Sequence, residues 1–218
     1  MVDFTIWDIL RGLVLAARWT VLLSLVAFVC GGIVGLIAMF MRTSKSRTLQ
    51  FIARAYIEIF QGTPLLMQLF LAFFGLALFG WNVTAGMAAS IALILWTGAF
   101  LAEIWRGCVE SIGRGQWEAS ASLAMNRWEQ MRHIILPQAL RVAIAPTVGF
   151  SVQVVKVTAQ TSIIGFVDLM KASTMIVNAT FQPFTVYGLA ALIYFVLCWP
   201  LSKGSQALER KLNAAHRS

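Results

Sequence analysis

The sequence predicts an all-α fold, a polytopic transmembrane helical bundle of about five spans. Three observations carry that prediction. Of 218 residues, 59% are hydrophobic and only 12% are charged, with a mean hydropathy of +0.78. A soluble domain carries about 25% charged residues, so this chain cannot cover a water-exposed surface with polar groups. Its apolar residues gather in runs of about 20, the length that crosses a bilayer core. The basic residues, which give a net charge of +8, fall between those runs. They form no stripe interleaved with exposed aromatics, which suits a membrane-lipid surface and argues against a nucleic-acid partner. A single domain, residues 1–218, accommodates the whole chain.

The elements follow in order. Residues 4–17 hold Asp8 and Arg11 among apolar positions and read as a short interfacial amphipathic helix. The opening MVDFTIWDIL has two aspartates and no basic cluster, so a retained first span is expected rather than a cleaved signal peptide. That span covers about 19–41, where Gly31 and Gly35 form a small-xxx-small pair that admits a close neighbour. After RTSKSR, a second span covers about 55–79. Gly62-Thr63-Pro64 interrupts it; Pro64 withholds a backbone donor and should kink the helix. Carbonyls freed in lipid need partners from protein or water, which favours the bundle interior for this segment.

A third span covers about 85–105. Residues 106–138 are too polar to cross, yet Leu123, Trp128, Met131, Ile134 and Ile135 recur at helical spacing. Short amphipathic helices lying against the membrane surface are expected there. A fourth span covers about 140–164, with Pro137 expected to stop the preceding helix short of it. A fifth covers about 184–201, followed by a basic tail. Cys30, Cys108 and Cys198 have neither zinc nor redox spacing, and His133 and His216 are isolated, so no metal site and no cofactor of the chain's own is expected.

The basic residues set an orientation. Arg42, Lys45, Arg47, Arg54, Arg106, Arg114, Arg127, Arg132, Arg141, Lys203, Arg210, Lys211 and Arg217 fall on one side of a five-span arrangement. Arg11, Arg18 and Lys171 fall on the other. The richer side is expected to be cytoplasmic, which leaves the N-terminus outside and the C-terminus in the cytoplasm.

The stretch from Glu118 to Leu140, EASASLAMNRWEQMRHIILPQAL, resembles the EAA motif of membrane subunits of ATP-binding-cassette importers. Glu118, Ala119, Leu123, Ile134, Leu136 and Pro137 match that motif. Ser120 replaces its second alanine, and Ala124 stands where glycine is usual. YIEIFQGTPLLMQLFLAFFG and AFLAEIWRGCVESIGRGQWEAS are similar to the polar-amino-acid branch of the same family. The resemblance covers most of the chain from Tyr56 onward and implies a type I importer permease of the bacterial inner membrane. It also implies a cytoplasmic coupling helix within 106–138, built on Glu118, Ala119, Ser120, Leu123, Ala124, Ile134, Leu136 and Pro137. The implied partners are a second permease subunit, identical or paralogous, two ATP-binding subunits that hold ATP and magnesium, and a periplasmic amino acid binding protein. No GxxxxGK[ST] loop occurs in the chain, so the ATPase must be a separate subunit. Glycine would allow a left-handed backbone at position 124, where alanine does so poorly.

Charged groups inside spans are expensive and face cavities or partners. Lys156 lies mid-span with Thr158, Gln160, Thr161 and Ser162 close in sequence. A buried lysine there suits a substrate carboxylate, and its alternative is an ion pair that fixes helix packing. Where the family commonly reads Lys-Asp-Thr, this chain has Lys156-Val157-Thr158, so no preference for a cationic substrate carries over. Glu58, Gln61, Gly62, Thr63 and Glu103 complete the candidate pathway. Glu103 is equally placed to pair with Arg106 one turn on. Two other classes remain: an ATP-independent carrier or channel, which uptake after ATP depletion would reveal, and a membrane enzyme, for which no convergent catalytic set is evident.

Overall fold

A computed structural model describes residues 5–215. Phe4, His216 and Arg217 lie outside the described residues, as does the side chain of Lys211. The described residues fold into helices, named here α1 Ile6–Thr43, α2 Arg47–Gly62, α3 Leu65–Leu78, α4 Ala85–Glu110, α5 Arg114–Ser122, α6 Arg127–Ile164, α7 Leu169–Thr180 and α8 Pro183–Ala215. Four of them, α1, α4, α6 and α8, are long and apolar enough to cross a membrane. The pair α2–α3 makes a fifth candidate span, bent by 104° at its break.

Helix α1 starts at a capping box: Asp8 N donates to Thr5 Oγ1 (3.2 Å), and Thr5 N donates to Asp8 Oδ2 (3.1 Å). It then runs unbroken for 38 residues, about 57 Å at 1.5 Å per residue. The segment expected as a separate interfacial helix is thus the first turns of α1. Its apolar residues explain why: Ile9, Leu13 and Ala17 are buried against Leu169, Val186 and Ala190 of α7 and α8. Burying those side chains against protein stabilises the straight continuation more than laying them along a surface.

The most extensive packing in the bundle joins α1 to α4. It depends on three glycines. A Cβ added at Gly31 would come within 2.8 Å of the Thr97 Cβ, at Gly35 within 2.9 Å of the Gly98 carbonyl oxygen, and at Gly98 within 3.1 Å of the Gly31 carbonyl oxygen. The two backbones touch, as the small-residue spacing predicts. Leu23, Ala27, Leu93, Leu101 and Phe150 fill the centre of the core beside this contact.

Two expectations change. The interrupted second span is two limbs meeting near a right angle rather than one kinked helix. Pro137 does not stop the helix before the fourth span. The turn ahead of it, Gln130–Ile135, widens to a π-helix, moving the carbonyl of His133 away from the ring that would otherwise clash with it. Helix α6 therefore continues from Arg127 to Ile164. The basic tail likewise continues α8 as helix.

Asp168 caps α7, its Oδ1 accepting from Lys171 N at 2.8 Å, and the neighbouring Leu169 N donates to Thr20 Oγ1 at 3.0 Å. Asp168 lies in the α6–α7 connection and is fully buried. Its carboxyl lies beside the Tyr194 hydroxyl, without a hydrogen bond of good geometry from Oδ2 to it. Burial pushes the carboxyl up to about 6. A folded-state value above the unfolded one means that the contribution is complete below about pH 4. It is lost as pH rises towards 6, by roughly 3 kcal/mol for two units. Melting in detergent should therefore show a lower Tm at pH 6.5 than at pH 4.5. Asp168→Asn, which keeps the cap, should flatten that slope; an unchanged slope would remove Asp168 as its origin.

Candidate coupling face and polar stripe

Helix α5 projects from the end of α4 and presents Glu118 and Ala119 to solvent. Glu118 makes no ion pair among the described residues. Ser120 points the other way. It is buried, and its hydroxyl donates to the carbonyls of Gln116 (2.8 Å) and Trp117 (2.9 Å), which satisfies that hydroxyl where α5 meets the bundle.

The exit from α5 is a Schellman turn. Met125 N donates to Ser120 O (3.3 Å) and Ala124 N to Ala121 O (3.0 Å). Ala124 occupies the left-handed position at φ 57°, where a Cβ costs about 1–2 kcal/mol. Glycine at this place in the motif thus has a geometric reason. Ala124→Gly should raise the stability of the chain by about 1 kcal/mol, read as a higher Tm in detergent; a fall would contradict the left-handed assignment. Leu123, 76% exposed, stands next to this turn with nothing of its own chain over it.

The next helix starts at once. Asn126 Oδ1 accepts from Trp128 N and Glu129 N (3.0 Å each), and Glu129 Oε2 accepts from Asn126 N (2.8 Å). The back of α5 is anchored by an apolar cluster: Met39 from α1, Val109 from α4, and Met131, Ile135 and Ala139 from α6, with Trp117, Ile134 and Leu136 packed on it. The Arg127 guanidinium lies over the Trp117 ring at 5.3 Å, and Gln138 Nε2 donates to Gln116 Oε1 at 3.3 Å. Movement of α5 must therefore move the ends of three long helices. Ile135 and Met131 are the buried anchors, whereas Ile134 and Leu136 are half-buried and Pro137 is exposed. The motif pattern alone misses Ile135, but its helical spacing with Met131 marks it.

The candidate pathway residues lie on α2, α4 and α6 and at the α2–α3 break. Lys156 is exposed on α6 with no ion pair among the described residues. It is neither the buried lysine expected from the sequence nor an internal packing pair. Gln153, Lys156 and Gln160 share one face by their i, i+3, i+7 spacing and form a polar stripe that is exposed at Gln153 and Lys156 and half-buried at Gln160. Thr158 and Thr161 face the interior instead. Their hydroxyls, and that of Ser162, donate to the carbonyls of Val155, Thr158 and Ala159 at 2.7–2.8 Å. Those bonds support the last turns of α6, which tighten to a 3-10 helix.

Glu58 pairs with Arg54 (2.7 Å), with both side chains more than 60% exposed, a surface pair of small energetic weight. Glu103 accepts from Arg106 Nε through both oxygens (3.0 Å), and Arg106 also pairs with Glu110. Gln61 Nε2 donates to Ala99 O at 3.2 Å. At the α2–α3 break, Gly62 is exposed and Thr63 Oγ1 donates to Ile59 O at 2.7 Å. Gln68 supplies the partners that the break requires. Its Nε2 lies 2.9 Å from Phe60 O, 3.1 Å from Thr63 O and 2.9 Å from Thr63 Oγ1. Sequence reasoning missed Gln68 and Gln153; an amide inside an apolar run was the available signal.

Residues 28–213 match the family model described as the inner membrane component of binding-protein-dependent transport systems. The chain belongs to this family. The permease is 35% identical over 193 residues to the probable amino-acid ABC transporter permease protein YckA of Bacillus subtilis (strain 168), covering 88% of this chain and 85% of that one. It is 31% identical to the glutamine transport system permease protein GlnP of Escherichia coli (strain K12), covering 95% of each chain. Its fold superposes with a TM-score of 0.90, at 33% identity, on a chain from a crystal structure of an amino acid ABC transporter with histidines, covering 97% of this chain and 99% of that one. This permease is a subunit of the bacterial inner membrane, and ATP hydrolysis resides on a separate subunit.

Proposed function

We propose that this permease carries a polar amino acid inward through an ATP-driven importer, with residues 106–138 as the segment that a motor subunit grips. The observation that carries this reading is α5: an exposed Glu118–Ala119 face on a helix whose Trp117 packs against the ends of α1, α4 and α6 and whose Gln116 accepts a hydrogen bond from Gln138 of α6. A motor that closes on ATP needs a rigid lever with a free face, and this one has both. Two permease subunits, identical or paralogous, would stand side by side over two ATP-binding subunits holding ATP and magnesium, and a periplasmic binding protein would deliver the substrate. The basic ends of the helices support an orientation with α5 and the C-terminus in the cytoplasm and the N-terminus outside.

The amino-acid relatives and the Gln153–Lys156–Gln160 stripe support the substrate class. A lysine in the apolar second half of α6, with no ion pair among the described residues, is suited to the carboxylate of an amino acid. Glu58, Gln61 and Glu103, already bonded within the chain, serve the walls of the path rather than its binding centre.

The test is reconstitution with the ATPase subunits and the binding protein in liposomes. Amino acids should stimulate ATP hydrolysis, and Lys156→Ala should raise the half-maximal substrate concentration about tenfold, the loss of one charge-assisted hydrogen bond, with assembly unchanged. Uptake that persists without ATP would favour a carrier, and unchanged kinetics would remove Lys156 from the path.

A further inference from the structure

We propose that the groove between the end of α1 and the start of α6 holds the headgroup of an anionic phospholipid. The groove encloses about 490 Å³ and is bounded by Lys45 and Arg127, with Phe40, Trp128 and Met131 along its apolar side and Ser44 at its rim. Both of its charged groups are cations, and no carboxylate lines it. Lys45 has no ion pair among the described residues. Arg127 is held in place by the Trp117 ring beneath it. The nearest acid in sequence, Glu129, is turned back on the backbone N–H of Asn126, so the positive charge of the groove is not neutralised from within.

The location matches the chemistry. Helix α1 leaves its apolar run here and enters the basic segment Arg42–Arg47, the level at which a bilayer places its phosphates. A phosphodiester fits between the ammonium of Lys45 and the guanidinium of Arg127. The first acyl carbons fit along Phe40 and Met131. Trp128, 62% exposed, stands at headgroup level, where indoles concentrate. A phosphatidylcholine headgroup would bring its own cation against Lys45 and Arg127, so the groove favours a lipid with net negative charge. The choice of leaflet rests on the orientation proposed above, but the binding does not.

The experiment uses the full transporter in phosphatidylcholine vesicles with a rising fraction of phosphatidylglycerol. Native mass spectrometry then counts the lipids retained on detergent release. The wild type should retain phosphatidylglycerol in preference to phosphatidylcholine. Lys45→Gln should weaken that retention about fivefold, the weight of one lysine near an anionic surface, and Lys45→Arg should restore it. Equal retention of the two lipids, or unchanged retention in Lys45→Gln at wild-type Tm, would overturn the proposal. So would a photo-crosslinker at position 128 that reacts with an ATPase subunit and not with lipid. Lipid retention is read without ATP turnover, so a transporter that fails to couple leaves this result intact.

Discussion

Gly31→Val should destabilise the permease by about 3 kcal/mol, a Tm lower by roughly 6–12 °C for a chain of this size. Any Cβ there meets the Thr97 Cβ at 2.8 Å and the Ile94 carbonyl oxygen at 3.0 Å. A backbone oxygen cannot rotate away, so α1 and α4 must separate. Separation opens the contact across Gly35 and Gly98 and loosens the core around Leu93 and Leu101. The neighbouring residue is the control. A Cβ at Gly32 meets nothing closer than Trp105 at 3.7 Å, an ordinary contact, so Gly32→Ala should melt within a degree or two of wild type. Equal behaviour of the two variants in fluorescence-detected melting would show that the α1–α4 approach is looser than described.

Glu118→Lys should abolish substrate-stimulated ATP hydrolysis, a loss of at least tenfold, while leaving the Tm unchanged. The asymmetry follows from position. Glu118 is exposed and makes no ion pair among the described residues, so the bundle loses nothing by its removal. At a docked interface, reversing a charge sets like charges together at a cost of several kcal/mol, and every 1.4 kcal/mol is tenfold in an equilibrium. Steady-state ATPase activity of the reconstituted complex, with and without substrate, measures the loss. Normal stimulation would mean that the motor docks elsewhere.

Much of this architecture is legible in the residues. Runs of apolar residues mark the spans because the bilayer leaves helices as the usual way to satisfy a backbone in lipid. Gly31 and Gly35 announce a close approach, and the position of Ala124 in the motif announces a left-handed turn. What sequence could not supply depends on long-range packing. The straightness of α1 rests on Ile9 and Leu13 meeting α7 and α8, more than 150 residues away in sequence for Leu169 from Ile9. The passage through Pro137 rests on a π-turn whose local signature is weak. The angle at Gly62-Thr63-Pro64 is fixed by Gln68 reaching back across the break. At the polar stripe, proximity in sequence misled: Thr158 and Thr161 neighbour Lys156 along the chain, but helical geometry turns them to the opposite face, and Gln153 and Gln160 take their place.

The account stands on α5 as the lever through which a separate motor moves the bundle. A single cysteine tests it most directly. Ser122→Cys, at the exposed end of α5, is placed in a chain whose Cys30, Cys108 and Cys198 are replaced by alanine, and the assembled transporter is treated with a short bifunctional crosslinker. The account predicts crosslinking to the ATPase subunit, and labelling by a membrane-impermeant thiol reagent only from the cytoplasmic side. Labelling from the periplasmic side, or protection by lipid with no crosslink to the ATPase, would contradict it.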